Sequence, residues 1–173
     1  IDTLIGVRTA RSDVLADAAN WYFHCRAIDF AGNAAGGAYH RGPFKIDSAP
    51  PAPPLIACTS HTAGVYSNDP SLDLVFTPGA DAAGGVSSIR YMVNEYDSTR
   101  PLSGMVTTDF TQTATVAEGH NWHVHAQTID EAGNVSDAAH LGPFRIDRTP
   151  PGRYIRTASI SGTSDFNVEW GGM

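Results

Sequence analysis

Residues 20–51 read NWYFHCRAIDFAGNAAGGAYHRGPFKIDSAPP and residues 121–151 read NWHVHAQTIDEAGNVSDAAHLGPFRIDRTPP, two versions of one pattern. Asn20, Trp21, Ile28, Asp29, Ala31, Gly32 and Asn33 recur as Asn121, Trp122, Ile129, Asp130, Ala132, Gly133 and Asn134. Gly42, Pro43, Phe44, Ile46, Asp47, Pro50 and Pro51 recur as Gly142, Pro143, Phe144, Ile146, Asp147, Pro150 and Pro151. From Asp47 to Asp147 the interval is 100 residues, with one length change in the loop between Asp29 and His40. A period of that size is one small domain.

Working outward, residues 1–50 match only the second half of the unit, residues 51–150 are a complete copy, and residues 151–173 match only its beginning. Asp165-Phe166-Asn167-Val168-Glu169-Trp170 stands where Ser71-Leu72-Asp73-Leu74-Val75-Phe76 stands in the complete copy. The predicted order is half, whole, half.

Alternation with period two runs through each segment and assigns strands. Trp21, Phe23, Cys25 and Ala27 share one face, as do Trp122, Val124, Ala126 and Thr128. Further strands are predicted at Leu55–Thr59, Leu72–Phe76, Ile89–Glu95, Thr111–Val116 and Leu141–Ile146, and no stretch sustains a helical apolar period. An all-β sandwich of about 100 residues per unit follows, with Asp-x-Ala-Gly-Asn as the turn of its last hairpin.

Composition narrows the function. Charged residues make up 17% of the chain, and 11 Lys+Arg against 18 Asp+Glu leave a net charge of −7, which repels nucleic acid. No apolar run approaches the ~20 residues of a membrane-spanning helix. Ile1 opens neither a signal peptide nor a start methionine, so the sequence is expected to be a window on something longer.

The segment from Trp21 to Asn33, followed by Gly-Pro-Phe-x-Ile-Asp-x-x-Pro-Pro from Gly42 to Pro51, resembles the immunoglobulin-like or fibronectin type III-like repeats strung along bacterial extracellular proteins. The resemblance implies a secreted or cell-surface setting and a role as spacer, stalk, adhesive or fibre. It also implies an alternative role, as the non-catalytic, glycan- or receptor-binding appendage of a secreted enzyme.

Candidate sites divide by chemistry. Asp29, Asp47, Asp81, Asp130 and Asp147 fall in loops or at module ends, where hard oxygen ligands for calcium gather, although no Asp-x-Asp-x-Asp-Gly loop is present. An interdomain site would combine Asp47 or Asp147 with the hairpin-loop carboxylate of an adjoining module. His123 and His125 are placed on the wet face of a strand and could join His120 in a zinc site. His24 and His40 are expected to lie far apart along their hairpin. Cys25 is expected to be a buried thiol and Cys58 to be unbonded, in a different core. Tyr66, Tyr91 and Tyr96 are outward aromatics of the kind that stack on sugars, and Asn134-Val135-Ser136 is a sequon on an exposed turn. No Gly-x-Ser-x-Gly elbow, His-Glu-x-x-His helix, phosphate loop or pair of carboxylates appears, so no enzyme and no resident cofactor other than calcium is expected.

Both ends carry core residues whose covering strands are absent. Trp21, Phe23, Phe44 and Ile46 at the front, and Phe166, Val168 and Trp170 at the tail, match residues such as Trp122 and Phe144 that the complete unit buries. Each such side chain left in water forfeits about 1.5–3 kcal/mol. Flanking sequence or a strand from an identical neighbouring chain has to complete each half. Pro50-Pro51-Ala52-Pro53-Pro54 between the units favours polyproline II and a semi-rigid joint.

Overall fold

A computed structural model describes residues 9–152 and the backbone of Tyr154–Thr157 and Val168–Gly171. All regular structure among the described residues is β-strand. The strands are β1 (Ala18–Cys25), β2 (Tyr39–Ile46), β3 (Leu55–Cys58), β4 (Tyr66–Ser67), β5 (Ser71–Thr77), β6 (Val86–Asn94), β7 (Met105–Thr107), β8 (Thr111–Thr115), β9 (Gly119–Asp130), β10 (Ala139–Ile146), β11 (Tyr154–Thr157) and β12 (Val168–Gly171).

Residues 51–150 build two sheets, one ordered β3-β5-β8 and the other β4-β10-β9-β6-β7. Every pairing is antiparallel except β4 on β10, where Tyr66 and Ser67 lie parallel to Arg145 and Ile146. Alternate residues of the two sheets meet in one core: Leu72, Leu74 and Phe76 from β5, Ile89 and Tyr91 from β6, Val124 and Ala126 from β9, and Phe144 and Ile146 from β10. The Phe76 and Tyr91 rings lie 5.1 Å apart. The predicted strands at Leu55, Leu72, Ile89, Thr111 and Leu141 correspond to β3, β5, β6, β8 and β10; β4 and β7 have no predicted counterpart. At two and three residues they are too short for alternation to register.

β9 departs from a one-faced strand. His123, His125 and Gln127 are buried, as are Val124, Ala126 and Thr128 on its other face. The end of β6 and the residues after it supply part of this cover, since Asn94 and the Tyr96 backbone bond His125.

The front of the chain holds a second copy of the β9–β10 hairpin. In β1–β2, Trp21 pairs Phe44, His24 pairs His40 and Ala18 pairs Ile46; in β9–β10, Trp122 pairs Phe144, His125 pairs His140 and Gly119 pairs Ile146. Trp21 Nε1 donates to the Ala16 carbonyl, and Trp122 Nε1 to the Ala117 carbonyl. Both Asp-x-Ala-Gly-Asn turns place glycine at positive φ, 89° at Gly32 and 94° at Gly133, where a side chain would be strained. The environments differ completely. Phe144 is 1% exposed and Phe44 is 44% exposed, because among the described residues no second sheet lies over β1–β2. Cys25, expected to be buried, is exposed for the same reason, and both cysteines are free thiols.

At the tail, β11 pairs β12 with Ile155 opposite Trp170, as β3 pairs β5 with Ile56 opposite Phe76. Phe166 and the side chains of Val168 and Trp170 lie outside the described residues.

The linker is packed onto the sandwich. Pro51 and Pro54 are buried, three positions apart as one face of polyproline II repeats, while Ala52 and Pro53 are exposed. Ala52 N donates to the Ala80 carbonyl at 2.9 Å. A Cβ added to Gly79 would sit 1.9 Å from the Ala52 carbonyl oxygen, so this close approach requires glycine.

Candidate functional site

Three loops converge where the β1–β2 hairpin runs into the sandwich. Asp47 follows β2 at the exit of the front hairpin, Asp81 opens the turn between β5 and β6, and Asp130 closes β9. Each offers one carboxylate oxygen, and the three oxygens lie within 4.8 Å of one another. Asp47 and Asp81 are half-buried and Asp130 is 1% exposed.

Local backbone amides set these rotamers. Asp47 Oδ1 accepts from Ala49 N at 3.1 Å. Asp81 Oδ2 accepts from the amides of Ala83, Gly84 and Gly85 at 3.3, 2.6 and 2.8 Å. Those bonds, Gly84 foremost, hold the Asp81 carboxyl below the usual carboxylate range. Asp130 Oδ1 accepts from Asn134 N at 2.8 Å and Oδ2 from Asn134 Nδ2 at 2.9 Å. The same Nδ2 donates to the Asp47 carbonyl at 3.1 Å, tying the front hairpin to the sandwich. All these donors are neutral. Asp47 Oδ2 and Asp81 Oδ1 are sealed from solvent and accept no hydrogen bond among the described residues. A Cβ at Gly84 would lie 2.7 Å from Asp47 Oδ2, so a side chain there would push the two loops apart.

Of the five aspartates singled out in the sequence, the structure thus brings together Asp47, Asp81 and Asp130, and it does not bring in Asp29 or Asp147. Asp29 is exposed; its carboxyl is held low chiefly by the Asn33 side chain, which donates to Oδ2 at 2.9 Å. Asp147 is exposed and its Oδ1 accepts from Thr149 N, the counterpart of Asp47 with Ala49.

The histidines are arranged otherwise than expected. His123 is 7% exposed and His125 is 0% exposed, so neither faces water, while His120 is exposed and joins no metal-binding group among the described residues. His24 and His40 do pair: they are opposite each other in the register, with their Nδ1 atoms in contact. Between the Ile28–Ala34 bridge and the Cys25–Tyr39 pair the register slips by two residues, which counting from the turn misses.

The counterpart pair, His125 and His140, brings Nδ1 to within 2.7 Å of Nδ1. Tyr96 N donates to Asn94 Oδ1, which fixes that oxygen as an acceptor. His125 Nε2, 3.0 Å from the same oxygen, is therefore the donor, its Nδ1 is bare, and His140 Nδ1–H supplies the shared proton. Burial, with the neighbouring His140 and His123, pushes the His125 pKa down.

Tyr91 is a core residue, 4% exposed, whose hydroxyl donates to Gln112 Oε1, so it belongs to no surface aromatic group. Tyr66 is exposed, with the Arg145 guanidinium 5.4 Å from its ring centre. Tyr96 is exposed along a shallow groove with Glu95, His120, Asn121 and Trp122. The sequon is closed: Asn134 Nδ2 makes two hydrogen bonds and Ser136 is 1% exposed. Among the described residues no helix is long and apolar enough to cross a membrane. No family model matches the chain, and no curated protein matches it.

Proposed function

We propose that this chain is a non-enzymatic, extracellular structural or adhesive segment built of tandem immunoglobulin-like or fibronectin type III-like sandwiches, acting as spacer, stalk or fibre subunit. The observation that carries this reading is the repeated hairpin joined to the next sandwich by a packed, hydrogen-bonded linker. Buried Pro51 and Pro54, the close approach of Gly79 to Ala52 and the bond from Asn134 to Asp47 oppose bending at that joint. Units in series on stiff joints hold whatever they carry at a set distance. The front hairpin and the tail strands are completed by flanking sequence or by strand exchange with an identical chain, a contact that propagates head to tail.

Small-angle X-ray scattering of the purified chain tests the reading. A rod-like profile, or particles that lengthen with concentration, is the expected result. A concentration-independent radius of gyration near the ~16 Å of a compact 173-residue globule overturns it.

A second reading, glycan or receptor binding by an accessory domain, draws on the groove beside exposed Tyr96 and half-buried Trp122. A glycan array with hits abolished by Tyr96→Ala would favour it.

A further inference from the structure

We propose that Asp47, Asp81 and Asp130 bind a calcium ion that locks the front hairpin to the following sandwich. One ion and three side chains make up the site, so it stands independently of the spacer reading.

Three anionic groups converge within 4.8 Å, and their hydrogen-bond donors are backbone amides and one carboxamide. Carboxylates this close repel one another, and a cation between them reverses the sign of that interaction. The independent pointer is the pair of orphaned oxygens. Among the described residues Asp47 Oδ2 and Asp81 Oδ1 are each sealed from solvent with no donor, although the other oxygen of the same carboxylate accepts from backbone amide. Asp47 Oδ2 lies against the Asp81 turn, as its approach to Gly84 shows. Local bonds therefore orient both carboxylates and leave one oxygen of each open to a cation.

The donor set selects the ion. Oxygen alone, without imidazole or thiolate, suits hard cations over zinc or copper. Calcium holds oxygens at 2.3–2.6 Å, so two ligands of one ion stand at most about 5 Å apart, which matches the 4.8 Å limit of this cluster. Asp47 comes from one side of the joint and Asp81 and Asp130 from the other, so binding couples the two.

The test is titration of the metal-stripped chain with CaCl2, by calorimetry and by melting temperature. The expected result is one ion per chain and, at a concentration about 100 times Kd, a rise in Tm of about 5 to 10 °C. Asp47→Asn, placed outside the sandwich core, should weaken binding at least tenfold while leaving the Tm of the metal-free protein near that of the parent. Identical melting in EDTA and in 5 mM CaCl2 would overturn the proposal without any variant being made. So would an undiminished calcium shift in Asp47→Asn, and an equal response to MgCl2 would overturn the assignment to calcium. None of these outcomes bears on the scattering profile that tests the spacer reading.

Discussion

The side-chain amide of Asn134 donates to the backbone carbonyl of Asp47 at 3.1 Å, joining residues 87 positions apart. Its other bond, to Asp130 Oδ2, is internal to the turn and is duplicated at Asn33 and Asp29 in the front hairpin. Sequence gives the two asparagines one role; the structure gives Asn134 a second.

The pair therefore makes a matched test. Asn134→Ala leaves the Asp47 carbonyl and Asp130 Oδ2 short of a donor, and the expected cost is about 1–3 kcal/mol. Asn33→Ala removes the corresponding turn bond at an exposed site and should stay within about 0.5 kcal/mol. Urea melts of the two variants compare them; equal losses would show that the contact to Asp47 contributes nothing.

Gly79 offers a steric test of the linker. The Cβ of Gly79→Ala would meet the Ala52 carbonyl oxygen at 1.9 Å, and backbone has no rotamer with which to move away. The linker must shift, at an expected cost of about 1–3 kcal/mol. Gly37→Ala, with nothing within 4 Å of the new Cβ, is the control and should melt with the parent.

These residues also mark how far the sequence was legible. Alternation locates the long strands because water on one side and core on the other select side chains every second position. It misleads at β9, where the end of β6 and the residues after it cover part of the second face, and so assigns His123 and His125 to solvent when they are buried. Cover supplied by a distant loop leaves no periodic trace. Asp47, Asp81 and Asp130 were nameable as oxygen donors in loops, but their meeting depends on three turns 34 and 49 positions apart converging on one point. Composition carries no information on that convergence. The Asp-x-Ala-Gly-Asn turn was readable because its chemistry is local: Asp130 and Asn134 bond within five residues.

Acid should weaken the sandwich through His125. Burial lowers its native pKa below the usual 6.5, and protonation at the bare Nδ1 would set it against the proton that His140 donates. His123 adds to this repulsion; Asp97 and the Tyr96 backbone oppose it only in part. Between the depressed native value and 6.5 the unfolded chain binds more protons than the folded one, so stability rises with pH across that window. It is complete above about 6.5 and is lost as pH falls toward the native value, with a slope of at most about 1.4 kcal/mol per pH unit for one proton. Chemical denaturation at several pH values from 7.5 to 5.5 measures the slope. Nitrogen-15 NMR of the ring should show His125 protonated at Nε2 at pH 7.5; a proton on Nδ1 would remove the basis of the prediction.

Phe44 and Phe144 occupy one position of the repeat and differ only in what covers them. Phe144 packs with Leu72, Leu74 and Phe76 in a core where it is 1% exposed, and Phe144→Ala should cost about 3–5 kcal/mol. Phe44 is 44% exposed beside Phe23 at 47%, so in a dilute monomer Phe44→Ala should cost under about 1 kcal/mol. If strands from an identical chain cover β1–β2, the same substitution acts on association instead. Light scattering should then show the parent chain gaining mass with concentration and the Phe44→Ala variant staying monomeric. A parent that remains monomeric throughout, with Phe44→Ala silent, leaves flanking sequence as the source of cover. The two outcomes divide the ways of completing the front hairpin.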